Sequence, residues 1–229
     1  ISHDIRNPLA SMEMMLELMK TGELSMEEIT MVTDSLSESL NETKSFLDNL
    51  LQWSKNQMVG IQPKAAIIPL KDVVEENIRF FKWNAGRKKV MLIDEVPKTI
   101  KVKADREMLK IIFRNLTSNA IKFSLENGYK LFGAGYENNY IKLWVKDNGV
   151  GIKQADHGKV FGMDSFTSKG TANEIGTGLG LMLCKDFIET NGGKIWFESK
   201  ENQGTTFYFT LPTVKEEEEE GIESLLSQS

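Results

Sequence analysis

Over residues 1–20 the apolar side chains Ile1, Ile5, Leu9, Met12, Leu16 and Met19 recur three or four positions apart. That spacing predicts an amphipathic helix with a single apolar stripe. Lys20-Thr21-Gly22 places a cation and a glycine where a helix stops. Ser25-Met26-Glu27-Glu28 then has the form of a capping box. It opens a second helix whose stripe is Ile29, Val32, Leu36, Leu40, Thr43, Leu47 and Leu50, continuing to about residue 58. Two helices joined by a short loop form an antiparallel hairpin. One hairpin cannot bury both stripes alone, whereas two hairpins can pair as a four-helix bundle, so residues 1–58 predict a homodimer. The alternative is that the stripes pack on the remainder of the same chain.

Val59-Gly60-Ile61-Gln62-Pro63 breaks the helical pattern, and residues 59–65 read as a linker. Residues 66–213 mix both periods. Strands are predicted at 66–70, 89–94, 99–104, 130–136, 140–147, 194–199 and 205–211, with a hairpin turn at Glu137-Asn138-Asn139. Helices are predicted at 71–85, with Val73, Val74, Ile78 and Phe81 inward, at 106–123 behind an Asp105 N-cap, and at 178–191. The glycine-containing stretch 148–177 has no periodicity, and its length marks it as functional or mobile.

Composition narrows the class. The 229 residues are 40% hydrophobic and 27% charged, as in a soluble globular protein. The net charge of −5 equals the run Glu216–Glu220, so the rest is neutral and a basic nucleic-acid footprint is absent. Residues 214–229 read as a solvated acidic tail or a docking segment. No apolar run approaches the ~20 residues that span a bilayer, so this stretch of chain predicts no membrane segment. A start at Ile1 instead of a methionine suggests a piece of a longer chain with a sensor or membrane region upstream. The single cysteine, Cys184, excludes an intrachain disulfide and lies in an apolar helical pattern, as buried filler does.

Four stretches carry candidate chemistry. In Ile1-Ser2-His3-Asp4-Ile5-Arg6-Asn7-Pro8-Leu9, His3 and Asn7 share a helix face and Asp4 flanks them. Pro8 cannot donate to the Asp4 carbonyl, so a bend is expected there. Taken alone, this reads as an ordinary helix end facing water. On helix 106–123, Asn115, Asn119 and Lys122 form a polar stripe opposite Leu109, Ile112, Phe113 and Leu116. Two carboxamides and an ammonium in line suit a Mg²⁺–triphosphate, or simply a solvent face. Asp147-Asn148-Gly149-Val150-Gly151-Ile152 ends a strand with an acceptor-only carboxylate and close-approaching glycines, a reader for a donor such as the adenine amine. Gly176-Thr177-Gly178-Leu179-Gly180-Leu181 opens a helix whose N-terminal amides and dipole attract anions. It is neither a Rossmann nor a Walker A loop.

In this order the stretches resemble the sensor histidine kinases of two-component systems. Residues 2–9 are similar to the phosphoacceptor box, residues 115–123 to the asparagine box, and residues 147–152 and 176–181 to the glycine boxes. Gly204-Thr205-Thr206-Phe207 is similar to the last nucleotide motif. The resemblance covers residues 1–212. It implies a dimerisation and histidine-phosphotransfer hairpin followed by an ATP-binding α/β sandwich of the gyrase, chaperone and histidine-kinase type.

Carried over, His3 is the phosphorylated nucleophile, Asp4 its orienting partner or base, and Asn7 the residue that serves dephosphorylation of a response regulator. Asn119 ligates Mg²⁺, while Asn115 and Lys122 contact phosphates. Asp147, with Gly149 and Gly151, binds adenine, and Phe123 packs near the base or ribose. Gly176, Thr177, Gly178, Leu179, Gly180 and Leu181 line the phosphates, and Thr205 completes the pocket. Residues 153–175 form a lid in which His157 is a surface residue.

The implied activity is autophosphorylation from Mg-ATP and transfer to a regulator aspartate, in the cytoplasmic portion of a protein for which inner-membrane anchoring is one expectation. Phe123 stands where the family often has tyrosine, and Phe161 and Phe166 are five apart instead of three. Lys169 is a candidate phosphate contact in place of arginine. Two rivals remain. One is an ATPase of the same superfamily, disfavoured because Asn115 occupies the position of its water-activating glutamate. The other is an ATP-binding module that signals without turnover.

Overall fold

Helix α1 (Ser2–Lys20) runs through Pro8 as one helix and ends where the Thr21 N–H and Oγ1 both donate to the Leu18 carbonyl. The structure is a computed structural model that describes residues 2–22, 24–37, 39–40, 43, 47, 63–162, 170–171 and 179–214, without the side chains of 2–8. Ser25 opens α2, helical over 26–37 and at 39–40, 43 and 47. The Ser25 N–H and Oγ each donate to the Glu28 carboxylate at 2.8 Å, and the Glu28 N–H returns a bond to Ser25 Oγ at 3.3 Å. These bonds are the reciprocal capping box, and they hold the Glu28 carboxyl below its ordinary pKa. Met12 and Thr43 are buried, while Leu9, Leu16, Leu40 and Leu47 stay 40–59% exposed. The apolar stripe is therefore covered only in part within one chain. Leu50 lies outside the described residues.

The chain divides into two units, Ile1–Ile61 and Gln62–Ser229. In the second the order is β1 (Ala65–Pro69), α3 (Leu70–Arg87), β2 (Met91–Asp94), β3 (Lys101–Asp105), α4 (Arg106–Phe123), β4 (Tyr129–Glu137), β5 (Tyr140–Asp147), a short 3-10 helix (Gln154–Lys159), α5 (Leu179–Thr190), β6 (Ile195–Lys200) and β7 (Gly204–Pro212). β1 and β3 pair as a small antiparallel ribbon. The main sheet has the order β2-β4-β5-β7-β6, parallel only between β2 and β4.

Alternation along the strands decides the layers. Phe132, Ile141, Leu143, Val145, Phe207, Phe209 and Leu211 are buried on one face. Against them pack Leu109, Ile112, Phe113 and Leu116 of α4, and Leu183, Cys184, Phe187 and Ile188 of α5. The Phe113 ring lies 6.3 Å from that of Phe132 and 5.7 Å from that of Phe209. On the other face Trp196 stacks on Tyr208 at 5.5 Å, and Lys142 Nζ lies over both rings. Beside them the Trp144 indole fills the space of a missing Cβ at Gly133, which would lie 2.2 Å from the ring.

Two expectations shift. Ile78 is half-buried, and the inward place is taken by Asn77, which donates to Thr117 Oγ1 at 2.8 Å. β2 starts two residues late because Lys89, at φ 53, turns the end of α3 and directs the Val90 N–H to the Ala85 carbonyl.

Asp105 is the N-cap as expected. Its Oδ1 accepts from the N–H groups of Glu107 and Met108, at 3.0 and 3.1 Å, and its Oδ2 accepts from the Lys64 N–H. Replacing Asp105 with Ala should cost about 1–2 kcal/mol. It should lower the thermal midpoint of this unit by roughly 2–4 °C per kcal/mol, read by circular dichroism; an unchanged midpoint would remove the cap as a stabilising element.

Candidate functional site

The site is built where β5 stops. Asp147 is buried at the end of that strand, opposite Thr205 of β7 on one side and Lys130 of β4 on the other. Its Oδ1 accepts from the Gly149 N–H at 2.9 Å and the Thr205 N–H at 3.3 Å. Both bonds fall on one oxygen, and among the described residues Oδ2 has no hydrogen bond. Burial pushes this carboxyl above its ordinary pKa, opposed by the nearby Lys130 charge and by the two amide donors.

The loop after Asp147 folds directly onto the end of α4. The Val150 N–H donates to the Phe123 carbonyl at 3.1 Å. A Cβ at Gly149 would lie 2.2 Å from that carbonyl oxygen, so only glycine lets the backbone approach so closely. Gly151 takes φ +68, and a Cβ there would meet the Lys200 carbonyl at 2.1 Å. Ser199 Oγ ties the strands together, accepting from the Ile152 N–H at 2.8 Å and bonding Thr205 Oγ1 at 2.8 Å.

Along α4, Asn115, Asn119, Lys122 and Phe123 are all half-buried. Asn115 Nδ2 donates to the Ile111 carbonyl at 3.1 Å. Its Oδ1 lies 2.7 Å from where a Cβ on Gly180 would be, so the first turn of α5 sits against this residue. Lys122 Nζ is 4.9 Å from the centre of the Phe123 ring. Leu179, Gly180 and Leu181 form the half-buried first turn of α5. The structure thus brings Asn115 beside Gly180, and Phe123, Gly149, Asp147 and Thr205 into one contiguous set. Gly176, Thr177, Gly178, Phe166 and Lys169 lie outside the described residues. So do the side chains of His3, Asp4 and Asn7, whose backbones lie in α1.

Several participants were not foreseen. Lys130 is fully buried, and its Nζ donates to the Leu116 and Thr117 carbonyls of α4 at 2.9 and 3.0 Å. Burial lowers its ammonium pKa to about 7, against the opposing pull of Asp147. Lys88 Nζ donates to the Ile121 and Lys122 carbonyls and to Thr171 Oγ1, and Thr171 in turn donates to the Lys122 carbonyl. The cation at this helix C-terminus satisfies carbonyls that lack helical partners.

His157 corrects an expectation. It is half-buried, with Nε2 3.2 Å from the Ile152 carbonyl and its ring edge-on to Phe197 at 5.0 Å. Phe161 packs on Phe197 and Phe207, anchoring the start of the 153–175 segment to the sheet.

Among the described residues no group of three or more His, Cys, Asp or Glu side chains could hold a metal. Asn119 supplies a hard amide oxygen, which suits an ion that takes most of its ligands from phosphate and water, as Mg²⁺ does. No described helix is long and apolar enough to cross a membrane.

Residues 1–58 match the His Kinase A (phospho-acceptor) domain. Residues 104–215 match the histidine kinase-, DNA gyrase B- and HSP90-like ATPase family. Sensor histidine kinase WalK of Bacillus subtilis is 31% identical across 98% of this chain and 37% of the relative. Adaptive-response sensory kinase SasA of Synechocystis is 27% identical across 94% of this chain and 58% of its own length. The chain therefore spans roughly a third to three fifths of these relatives. The catalytic domain of histidine kinase ThkA in a nucleotide-free form superposes with a TM-score of 0.59 at 29% identity, over 66% of this chain and 99% of that one. Acinetobacter baumannii histidine kinase AdeS shares the fold at a TM-score of 0.72 and 19% identity, over 93% and 98% of the two chains.

The buried lysine makes stability depend on pH. An unfolded lysine holds its proton to about pH 10.4, whereas Lys130 in the fold releases it near 7. Between these values the unfolded chain binds more protons, so stability should rise with pH. The thiol of Cys184, pushed up by burial, opposes this once an unfolded cysteine ionises near about 8.5. The urea midpoint should therefore climb from pH 7 to about 8.5 in the unaltered chain and lose that climb in Lys130→Met; equal slopes would contradict the assignment.

Proposed function

Because the chain belongs to the sensor histidine kinases, we propose that it phosphorylates His3 from Mg-ATP, passes the phosphoryl group to an aspartate of a response regulator, and also dephosphorylates that regulator. The observation that carries the nucleotide half is Asp147, whose Oδ1 is held by two amides while Oδ2 is left to accept from a base amine. Residues 1–58 serve as the phosphotransfer hairpin and residues 66–213 as the catalytic domain. Asp147, Gly149, Gly151 and Thr205 enclose adenine, and Phe123 packs beside it. Asn115, Lys122 and the 176–181 loop face the phosphates, and Asn119 holds Mg²⁺. When bound, the metal offsets charge on the phosphates as the γ-phosphoryl leaves.

The chain's own part in the step is positioning. Asp4 accepts from His3 Nδ1–H and fixes the tautomer, so Nε2 carries the lone pair. That pair forms the N–P bond as the bond from the γ-phosphorus to the ADP oxygen breaks. Asn7, four residues on from His3, holds the water that hydrolyses the regulator's aspartyl phosphate. A solved complex pairs histidine kinase ThkA with the response regulator protein TrrA, at 24% identity to this chain, and supports a receiver domain as partner. The row Leu9, Leu16, Leu40 and Leu47, exposed in the single chain, supports a homodimer closed through the hairpin. Membrane anchoring of a longer protein belongs to this same proposal.

Labelled ATP with Mg²⁺ should give an acid-labile, base-stable label that is absent from His3→Gln and Asn119→Ala. Label that survives acid, or persists without His3, would refute the kinase assignment. Asn7→Ala should still take up label but dephosphorylate a cognate regulator at least about 10-fold more slowly, as loss of a water-positioning group does; wild-type dephosphorylation would remove the phosphatase role.

A further inference from the structure

A lysine in the centre of a sandwich core needs an explanation. Lys130 occupies an inward position in the alternation of β4, where the next inward residues, Phe132 and Ala134, are apolar and buried. An unpaired ammonium there is costly, and such a charge persists only with partners. Two of the partners are the Leu116 and Thr117 carbonyls, at 2.9 and 3.0 Å, on the turn of α4 between Asn115 and Asn119. Its charged neighbour across the ladder is Asp147. The register places Lys130 directly opposite it, which sets the two side chains side by side on the same face.

We propose that Lys130 is a positioning residue of nucleotide recognition, a buried cation that keeps the facing Asp147 an ionised acceptor for a base amino group while its ammonium holds the phosphate-facing turn of α4. This rests on the nucleotide-binding reading above and adds a residue to it. Asp147 is buried deeply enough that its neutral form competes, and a neutral carboxyl would forfeit the stronger, charge-assisted bond. The amide donors of Gly149 and Thr205 supply part of the needed field, and Lys130 supplies the only full positive charge shown acting on this carboxyl among the described residues. The same ammonium grips two consecutive carbonyls of α4, so the strand paired with the base reader is tied to the Asn115–Asn119 turn.

The test compares ATP with purine riboside triphosphate, which lacks only the 6-amino group, using calorimetry on the full 229-residue chain at pH 6.5 with Mg²⁺. The unaltered chain should prefer ATP. In Lys130→Met the Kd for ATP should rise about 10-fold while that for the deamino analogue stays within about 2-fold, the size of one charge-assisted hydrogen bond. Equal weakening of both nucleotides would make Lys130 merely structural, and retained ATP preference would also overturn the proposal. Lys130→Arg, which keeps the charge, should retain more of the preference than Lys130→Met. Should Lys130→Met fail to fold, the Asp147 carboxyl carbon in the unaltered chain decides by NMR. An ionised carboxylate at pH 6.5 upholds the assignment, and a protonated one overturns it. An unaltered chain that binds neither nucleotide overturns the nucleotide reading itself, and this inference with it.

Discussion

A carboxylate taken out of water must find donors, and the arrangement of the second unit follows from supplying them to Asp147. The Gly149 amide reaches Oδ1 only because the chain turns at once after β5, and that turn fits only because Gly149 lets the backbone lie against the Phe123 carbonyl. The Thr205 amide comes from the neighbouring strand, so β7 must pair with β5 in the register observed. Lys130 comes from the strand on the other side. Three strands and the end of one helix therefore converge on one side chain. A buried charge of this kind is tolerated because every supporting group is fixed before a ligand arrives.

The helical unit obeys a different economy. Its local signals are strong, with the Ser25–Glu28 box complete and α1 unbroken through Pro8, yet its leucine row is left in water. Secondary structure there is specified locally, whereas the burial of the row is incomplete among the described residues. The sandwich is the reverse. Its caps and turns are modest, and Phe113, lodged between Phe132 and Phe209, shows a core closed by one chain.

These contrasts explain what was legible beforehand. Asp105, the Asn138 turn and the alternation of β5 and β7 announce themselves through nearest neighbours, and the structure has them where the pattern puts them. Asp147 stands out in the sequence because a carboxylate between a strand end and two glycines has few structural uses. The strand order was not legible, since β2-β4-β5-β7-β6 depends on contacts between residues far apart in sequence. The ribbon of β1 with β3 was hidden for the same reason. Lys88 gave no signal, as a cation after a helix reads as ordinary surface. Lys130 did give one. It falls in phase with Phe132 and Ala134, on the side of the strand that the alternation buries. His157 reads as surface in the sequence because the aromatic edge of Phe197, forty residues away in the chain, cannot be seen from its neighbours.

The pair Gly133 and Trp144 constrains substitution. The indole of one residue occupies the volume that any side chain at the other would claim. Neither position is free to drift by itself, because a bulkier residue at 133 evicts the ring and a smaller one at 144 opens a gap over the strand. A chain that exchanges this glycine for alanine or valine must also move or give up the tryptophan, so the two positions act as one steric unit although eleven positions separate them.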